Sequence, residues 1–308
     1  DAVCQYGPMD AQSHALRFEQ PQWAVTPGQS LVVYESRVCL GGGGMSAAPR
    51  LLRSDGDPAV LAEAVLNLGR SGGVLALAAP QEEALLGQAL PEAWPPAGIG
   101  DSREVRQTFA PAVVLGTGGS SGGRRWCVQP LDHLQVSVDG CGQWLRGIGL
   151  DPARCQLFNP LPLHHISGLM PLLRSASWGA DHRVLPPALL REPARLRAEA
   201  TPAVDRPALL SLVPTQLQRL LADADGRRWL EAFALIWVGG AALPETLAEA
   251  CRQQGLCLSP CYGSTETGAM VAALAPEAFL AGDRGCGLPL PHARLRLGDD
   301  GALEIQSA

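Results

Sequence analysis

Strand-like and helix-like segments alternate along most of this 308-residue chain, and this alternation limits its fold more than any other feature. Short apolar runs of strand length, such as Val74–Ala79 and Leu235–Val238, are separated by longer stretches with apolar residues at helical spacing. Such alternation is typical of a mainly parallel sheet with helices on its faces. We therefore expect an α/β fold with two mainly parallel sheets flanked by helices.

Residues that begin and end helices mark the individual elements. Asp57-Pro58 supplies a capping carboxylate and a first-turn proline, and Gly69 follows the apolar positions of that segment. The same criteria predict further helices over 81–89, 131–145, 167–177, 216–222 and 244–254. Strands are predicted over 74–79, 112–115, 126–128, 156–159, 183–185, 208–213, 235–238 and 256–259.

The C-terminal end has a different pattern. Leu288–Leu297, the turn signal Asp299-Asp300-Gly301 and Leu303–Ile305 predict the start of a small antiparallel β element. Near the other end, Gly41–Gly44 is expected to be a surface loop. We divide the chain into an N-terminal segment (1–56), a first α/β subdomain (57–180), a second α/β subdomain (181–285) and the start of a β subdomain (286–308).

Composition excludes several classes of protein. Apolar residues make up 46% of the chain and charged residues 18%, which is ordinary for a globular protein with a core. The net charge of −6 argues against a general nucleic-acid binder. No apolar run reaches membrane-spanning length and no signal sequence is visible, so we expect a cytoplasmic location. The sequence is also compatible with a homo-oligomer. The nine cysteines and six histidines form no zinc pattern, so we expect buried or idle thiols.

Two loops carry most of the chemically capable residues. Thr117–Arg125 is rich in glycine and hydroxyl groups and ends in two cations, whereas Tyr262–Gly268 combines an aromatic ring, hydroxyls and one carboxylate. Backbone N–H groups and hydroxyls can surround phosphates, an arginine can balance their charge, and a carboxylate can hold magnesium. Both loops, and Gly239-Gly240, follow predicted strands, where ligands bind in such sheets.

Other interpretations of the first loop remain open. It lacks the Gly-Lys-Ser/Thr ending of a Walker P-loop. Gly118-x-Ser120-x-Gly122 matches the nucleophile elbow of α/β-hydrolases, which needs a helix directly after the serine and a later histidine. The following residues are a poor helix start, and His292 is the only histidine in the last third of the chain. A serine hydrolase using Ser120 and a non-catalytic acyl-acid-binding domain are kept as alternatives.

The order of these motifs resembles that of the adenylate-forming superfamily, which comprises acyl-CoA synthetases, luciferases and peptide-synthetase adenylation domains. The resemblance extends over residues 57–307. Thr117–Arg125 resembles the phosphate-binding loop, and Leu161–Leu169 resembles a segment that puts His165 at the family histidine. Gly239-Gly240-Ala241 resembles the adenine-side motif, and Tyr262–Gly268 resembles the most specific signature.

Within the superfamily, three segments are most similar to the 2-succinylbenzoate–CoA ligases: Ile166–Gly168, Ser211–Leu217 and Ala269–Val271. The first loop is similar to the cyanobacterial branch of these ligases. The resemblance implies ATP-dependent activation of an aromatic acid, which we expect to be 2-succinylbenzoate, as an acyl-adenylate. Transfer to CoA would follow, in phylloquinone or menaquinone biosynthesis. ATP, Mg²⁺ and CoA are the implied cofactor and co-substrates.

The resemblance also implies roles for individual residues. Tyr262 would stack on adenine, Glu266 would hold magnesium, and His165 would lie between the acid pocket and the CoA channel. Catalytic roles are implied for His165, Arg125, Thr265 and Glu266; nucleotide contacts for Thr117, Gly118, Gly119, Ser120, Ser121, Gly122, Gly239, Gly240, Ala241, Tyr262, Gly263 and Thr265; and acid contacts for His165, Ser264 and Gly268.

The sequence departs from the family pattern in two respects. Arg125 stands where the family has lysine, and Arg124 stands where it has proline. The family also continues with a ribose-binding aspartate, a hinge and a mobile C-terminal domain carrying a catalytic lysine, whereas this sequence contains no lysine. We therefore expect a large N-terminal adenylation domain with impaired turnover. No arginine can be assigned to the acid's second carboxylate from the sequence.

Overall fold

The computed structural model describes residues 4–10, 13–18, 34–35, 38–39, 50–53, 58–71, 73–84, 86, 111–117, 125–298 and 303–307. The strands are β1 Cys4–Asp10, β2 Ser13–Phe18, β3 Tyr34–Glu35, β4 Val38–Cys39, β5 Arg50–Arg53, β6 Val74–Ala78, β7 Ala112–Thr117, β8 Arg125–Pro130, β9 Gln156–Asn159, β10 Asp181–Val184, β11 Ala208–Leu212, β12 Leu235–Val238, β13 Leu258–Ser264, β14 Ala269–Ala273, β15 Leu288–Pro289, β16 Ala293–Leu297 and β17 Leu303–Ser307. The α-helices are α1 Pro58–Ser71, α2 Leu131–Gly147, α3 Ile166–Trp178, α4 Pro193–Glu199, α5 Pro214–Leu221, α6 Ala224–Leu230, α7 Glu245–Gln253 and α8 Pro276–Leu280.

The first sheet has four strands in the order β5-β6-β7-β8. Its first three strands are parallel, and β8 runs antiparallel to β7. Leu77 and Leu115 pack in one apolar cluster, whereas Ala76 and Val114 on the same strands pack in another. Both faces of this sheet are therefore covered, which explains why β6 and β7 are continuous apolar runs.

The second sheet has seven strands in the order β10-β9-β11-β12-β13-β14-β15. The strands from β10 to β13 are parallel, and β14 and β15 add antiparallel pairs at one edge. Two mainly parallel sheets flanked by helices were expected, and this part of the fold prediction is confirmed.

Helices α2 and α3 pack against both sheets and bring them together. Leu134 of α2 and Leu169 of α3 share an apolar cluster with Leu115 of the first sheet. About three turns further along α2, Leu145 packs with Leu209 of the second sheet. Since α2 contributes to both clusters, loops at the strand ends of one sheet can meet loops of the other.

A third sheet has the order β1-β2-β17-β16. β16 and β17 form the expected antiparallel pair, with Leu295 opposite Ile305, and β17 also pairs with β2. The predicted small antiparallel element is confirmed, whereas its turn at 299–302 and the predicted loop Gly41–Gly44 lie outside the described residues.

Most predicted elements are found within one to four residues of their expected bounds. The predicted helix 81–89 begins as a 3₁₀ turn, Pro80–Glu82, and the residues beyond 86 lie outside the described part. The sequence analysis missed α4, α6, α8, β14 and the five strands β1 to β5. The division at residue 180 stays a prediction, although Gln156–Asn159, placed in the first subdomain, pairs with strands that follow residue 180.

Candidate functional site

A cavity of about 300 Å³ lies at the C-terminal ends of β11, β12 and β13. Its walls come from loops of both sheets, because Gly116 of β7 and Val213 after β11 both line it. The sequence-predicted site residues that line it are His165, Gly239, Gly240, Gly263, Ser264 and Thr265. The fold therefore brings three separate predicted motifs to one cavity.

A second cavity of about 500 Å³ adjoins the first, and Cys261 lines both. Ala241 and Tyr262, which the sequence analysis assigned to the adenine side, line this second cavity. Burial raises the pKa of Tyr262 to about 12, and nearby Cys286 and Glu266 add to the shift. The phenol is thus neutral at pH 7 and presents a ring and a hydroxyl.

Internal hydrogen bonds hold the turn between β13 and β14 in shape. The Thr267 hydroxyl accepts from the Ser264 N–H (2.9 Å) and donates to the Ala269 carbonyl (2.7 Å). Gln129 of β8 donates through Nε2 to the Thr265 carbonyl at 2.6 Å. Because Gln129 is buried, this bond fixes the turn against the first sheet.

The glycine-rich loop connects β7 to β8, and its two ends are described. Thr117 is buried and pairs with Arg125 across the two strands. Gly118, Gly119, Ser120, Ser121 and Gly122 lie outside the described residues. Since Gly116 lines the same cavity as Thr265, the loop starts beside the turn that carries Glu266. The implied contacts of the loop with phosphate stay a prediction.

The position of this loop bears on the hydrolase alternative. A nucleophile elbow needs a helix directly after its serine. Here the described residues that follow Ser120 form β8, which pairs antiparallel with β7. A loop joining two antiparallel strands does not provide the strand–turn–helix context, so the structure disfavours a nucleophilic role for Ser120.

The loop before α3 carries His165, and Asn159 at the end of β9 anchors that loop. The fully buried Asn159 accepts through Oδ1 from the Leu161 N–H (3.1 Å) and donates through Nδ2 to the Gly168 carbonyl (2.8 Å). The rings of His164 and His165 lie 4.2 Å apart. One amide side chain therefore ties both sides of the histidine loop to the sheet.

We expect Asn159→Ala to destabilise the fold by about 2–3 kcal/mol, because it removes two buried side-chain hydrogen bonds to the backbone of the histidine loop. The free energy of unfolding, measured by urea denaturation, checks this value. The control is Gln135→Ala, which removes only exposed hydrogen bonds from α2. Equal unfolding midpoints for both variants would rule out the anchoring role.

Arg174 is the charged residue of the cavity that the sequence analysis missed. It lies on α3 in helical register with Ile166 and Met170, and all three line the cavity. Its exposed fraction is 4%, and its Nε has no hydrogen-bond partner among the described residues. The sequence feature that could have identified Arg174 is a charged residue on the apolar face of a predicted helix.

The neighbouring thiols do not balance the charge of Arg174. Burial raises the pKa of Cys261 to about 12, and burial also raises the pKa of Cys141. Both thiols are therefore protonated at pH 7. In the part of the chain that the structure describes, no carboxylate forms an ion pair with Arg174. An anion entering the cavity would supply the missing charge.

The described residues contain no group of three or more metal-ligating side chains, and the seven cysteines whose side chains the structure describes are free. None of the described helices is both long and apolar enough to cross a bilayer.

Glu266 is the carboxylate of the turn between β13 and β14, and Gly268 ends that turn with φ of 64°.

Two family models match different parts of the chain. A model described as AMP-binding enzyme matches residues 44–307, and one described as an aminomethyltransferase beta-barrel domain matches residues 1–45. A tRNA-specific 2-thiouridylase of Dechloromonas aromatica is 63% identical over 43 residues, or 14% of this chain and 12% of that protein. The N-terminal segment thus resembles a different family from the remainder, which the sequence analysis did not detect.

The larger part resembles ligases. A 2-succinylbenzoate–CoA ligase of Geobacillus sp. is 30% identical over 190 residues, or 62% of this chain and 37% of the relative. The structure of o-succinylbenzoate CoA synthetase from Bacillus subtilis, in complex with an acyl-adenylate intermediate, is 22% identical with a TM-score of 0.54. That match covers 85% of this chain and 57% of the other, so it supports the fold. The chain spans little more than a third of the curated ligase.

Proposed function

The chain belongs to the AMP-binding enzyme family, and we propose that it is the acid- and nucleotide-binding part of an ATP-dependent acid–CoA ligase. The acid is 2-succinylbenzoate, which becomes an acyl-adenylate before its acyl group passes to CoA. Menaquinone or phylloquinone synthesis is the pathway this reaction would serve. The cavity shared by His165, Gly239-Gly240 and Ser264-Thr265, with buried Arg174 beside them, is the observation that carries the proposal.

The reaction joins two anions, so the chain must offset their repulsion before a carboxylate oxygen can attack the α-phosphorus. Hydroxyl and backbone N–H donors of the turn after β13, with Arg125 and the glycine-rich loop, would bind the phosphates. Glu266 would hold the magnesium ion, which supplies positive charge next to them. One protein carboxylate suits magnesium bound mainly through substrate phosphates and water.

The nucleotide base would occupy the second cavity, which has a volume of about 500 Å³. Tyr262 and Ala241 both line it, and the neutral Tyr262 ring offers a stacking surface. His165 lines the smaller cavity together with Ser264, which suits a position between the acid and the incoming thiol. A Cβ atom added at Gly268 would meet Leu134 and Ser137 of α2, so the contact of Gly268 with the acid stays a prediction.

Arg174 suits an acid that carries a second carboxylate. Its guanidinium is buried without an ion-pair partner in the described part of the chain, and it lines the same cavity as His165. A carboxylate that stays unreacted could pair with Arg174 while the other is activated. The aromatic ring between them would contact Met170 and Trp237, which also line the cavity.

We expect Arg174→Met to weaken binding of 2-succinylbenzoate by about 10- to 100-fold, the range for a buried charged hydrogen bond. Titration calorimetry would compare this acid with 4-oxo-4-phenylbutanoate, which lacks the carboxylate on the ring. Affinity for the monoacid should change little. The control is Arg191→Met, which alters an exposed arginine. The proposal would be wrong if the unsubstituted chain bound both acids equally or neither acid at all.

The finer parts of this proposal stay predictions. They are the use of magnesium, a role in phylloquinone synthesis, a cytoplasmic location and any homo-oligomer. The division into subdomains at residues 56, 180 and 285 is part of the same proposal.

A further inference from the structure

Trp237 lies against the guanidinium of Arg174 in the smaller cavity. The Arg174 Cζ is 5.0 Å from the centroid of the indole, within the range of a cation–π contact. Both residues are almost fully buried, at 4% and 3% exposure. Desolvation strengthens such a contact, because water no longer competes for the cation.

The position of Trp237 in the sheet makes it part of the cavity floor. It stands in register between Ser211 of β11 and Ser259 of β13. Residues in register on neighbouring strands project from the same face of a sheet. Its strand neighbours Ile236 and Val238 pack in the core on the opposite face. The indole is therefore fixed by the sheet, not by a mobile loop.

A second aromatic ring supports the indole. Trp144 of α2 has its ring centroid 6.5 Å from that of Trp237, at an interplanar angle of 35°. Trp144 and Trp237 also belong to the same apolar cluster between α2 and the second sheet. The indole is thus held from the helix layer as well as from the strand, and it offers Arg174 a rigid surface.

No other group described near Arg174 provides its guanidinium with an electron-rich contact. The thiols of Cys141 and Cys261 are protonated, as described above. Burial, followed by the charge of Arg174, lowers the pKa of His292 to about 4, so this imidazole is neutral at pH 7. Among the described residues, the indole is thus the electron-rich group found in contact with the cation.

We infer that Trp237 is a positioning residue that holds the Arg174 guanidinium on the cavity floor and thereby sets the preference for acids with a second carboxylate. A long arginine side chain loses rotamer freedom when it meets an anion. Stacking on the indole fixes the guanidinium before the acid arrives, so less freedom is lost on binding. The part of this inference that concerns the acid rests on the proposed function.

The first test needs no ligand. A double-mutant cycle of Trp237→Leu and Arg174→Met compares unfolding equilibrium constants from urea denaturation of the ligand-free chain. The expected coupling is about 5- to 30-fold, the range for a desolvated cation–π pair. Trp237→Phe should retain part of the coupling, because it keeps an aromatic face, and it replaces the leucine variant if that variant does not fold. A coupling below about 2-fold would overturn the inference.

The second test measures the preference for acids that carry a second carboxylate. Calorimetry gives the ratio of the dissociation constants for 4-oxo-4-phenylbutanoate and 2-succinylbenzoate. Trp237→Leu should lower this ratio by about 5- to 30-fold, whereas Trp237→Phe should lower it less. An unchanged ratio in Trp237→Leu, or an equal loss of affinity for both acids, would refute a positioning role. If the unsubstituted chain shows no preference, the proposed function fails, and the first test still decides whether Trp237 holds Arg174.

Discussion

Glu266→Gln is expected to abolish magnesium-dependent nucleotide binding, with a loss of at least about 100-fold in affinity for MgATP. Glutamine keeps the size of the side chain but removes the charge that a hard divalent cation requires. The turn that carries Glu266 is bonded to the first sheet through Gln129 and Thr265, so its backbone should survive the substitution. Calorimetric titration with ATP, with and without magnesium, measures the effect.

Glu277→Gln is the matched control, because it makes the same chemical change on α8 at a residue that lines neither cavity. Exchange of labelled pyrophosphate into ATP gives a second readout. We expect exchange to disappear in Glu266→Gln and to persist in Glu277→Gln. Undiminished exchange in Glu266→Gln would refute the assignment of this carboxylate to the metal.

Gly263→Ala is expected to destabilise the chain by about 3 kcal/mol or more and to distort the nucleotide site. A Cβ atom at this position would lie 2.0 Å from the Ala269 carbonyl oxygen and 2.4 Å from the Met270 Cα. Both neighbours are backbone atoms of β14, so no side chain can rotate away. Relief would require β13 and β14 to separate next to Tyr262.

The control for this substitution is Gly147→Ala at the end of α2, where a Cβ atom would meet nothing within 4 Å. Alanine in a helix is favoured over glycine by about 0.5–1 kcal/mol, so this variant should be neutral or slightly stabilised. Urea denaturation of both variants gives the comparison. An unfolding midpoint for Gly263→Ala equal to that of the unsubstituted chain would contradict the close packing of the two strands.

Sequence patterns identified the long elements because their signals are local. The predicted bounds of α3 and β12 agree with the observed bounds to within one residue. Apolar residues and a following glycine specify both elements without reference to the rest of the chain. The short helices α4, α6 and α8 were missed because five to seven residues contain too few turns for a periodic pattern. β14 was missed because its partner is reached through a four-residue turn that was interpreted only as a ligand loop.

The order of the motifs also identified the family, and the family model that matches residues 44–307 confirms this. The first 45 residues gave no such signal, and only the comparison with a beta-barrel family revealed their resemblance. A short strand-rich segment offers little beyond composition to a reader of one sequence.

The sequence by itself determined the α/β class, the positions of the main strands and the motifs that end them, because each depends on residues close together in the chain. Only the tertiary structure decided which arginine lines the cavity. Arg174 and Trp237 lie on a helix and a strand that are distant in sequence, and they meet because α3 packs across the face of the second sheet. Burial then leaves the guanidinium without a counter-charge among the described residues, and this follows from packing rather than from local pattern.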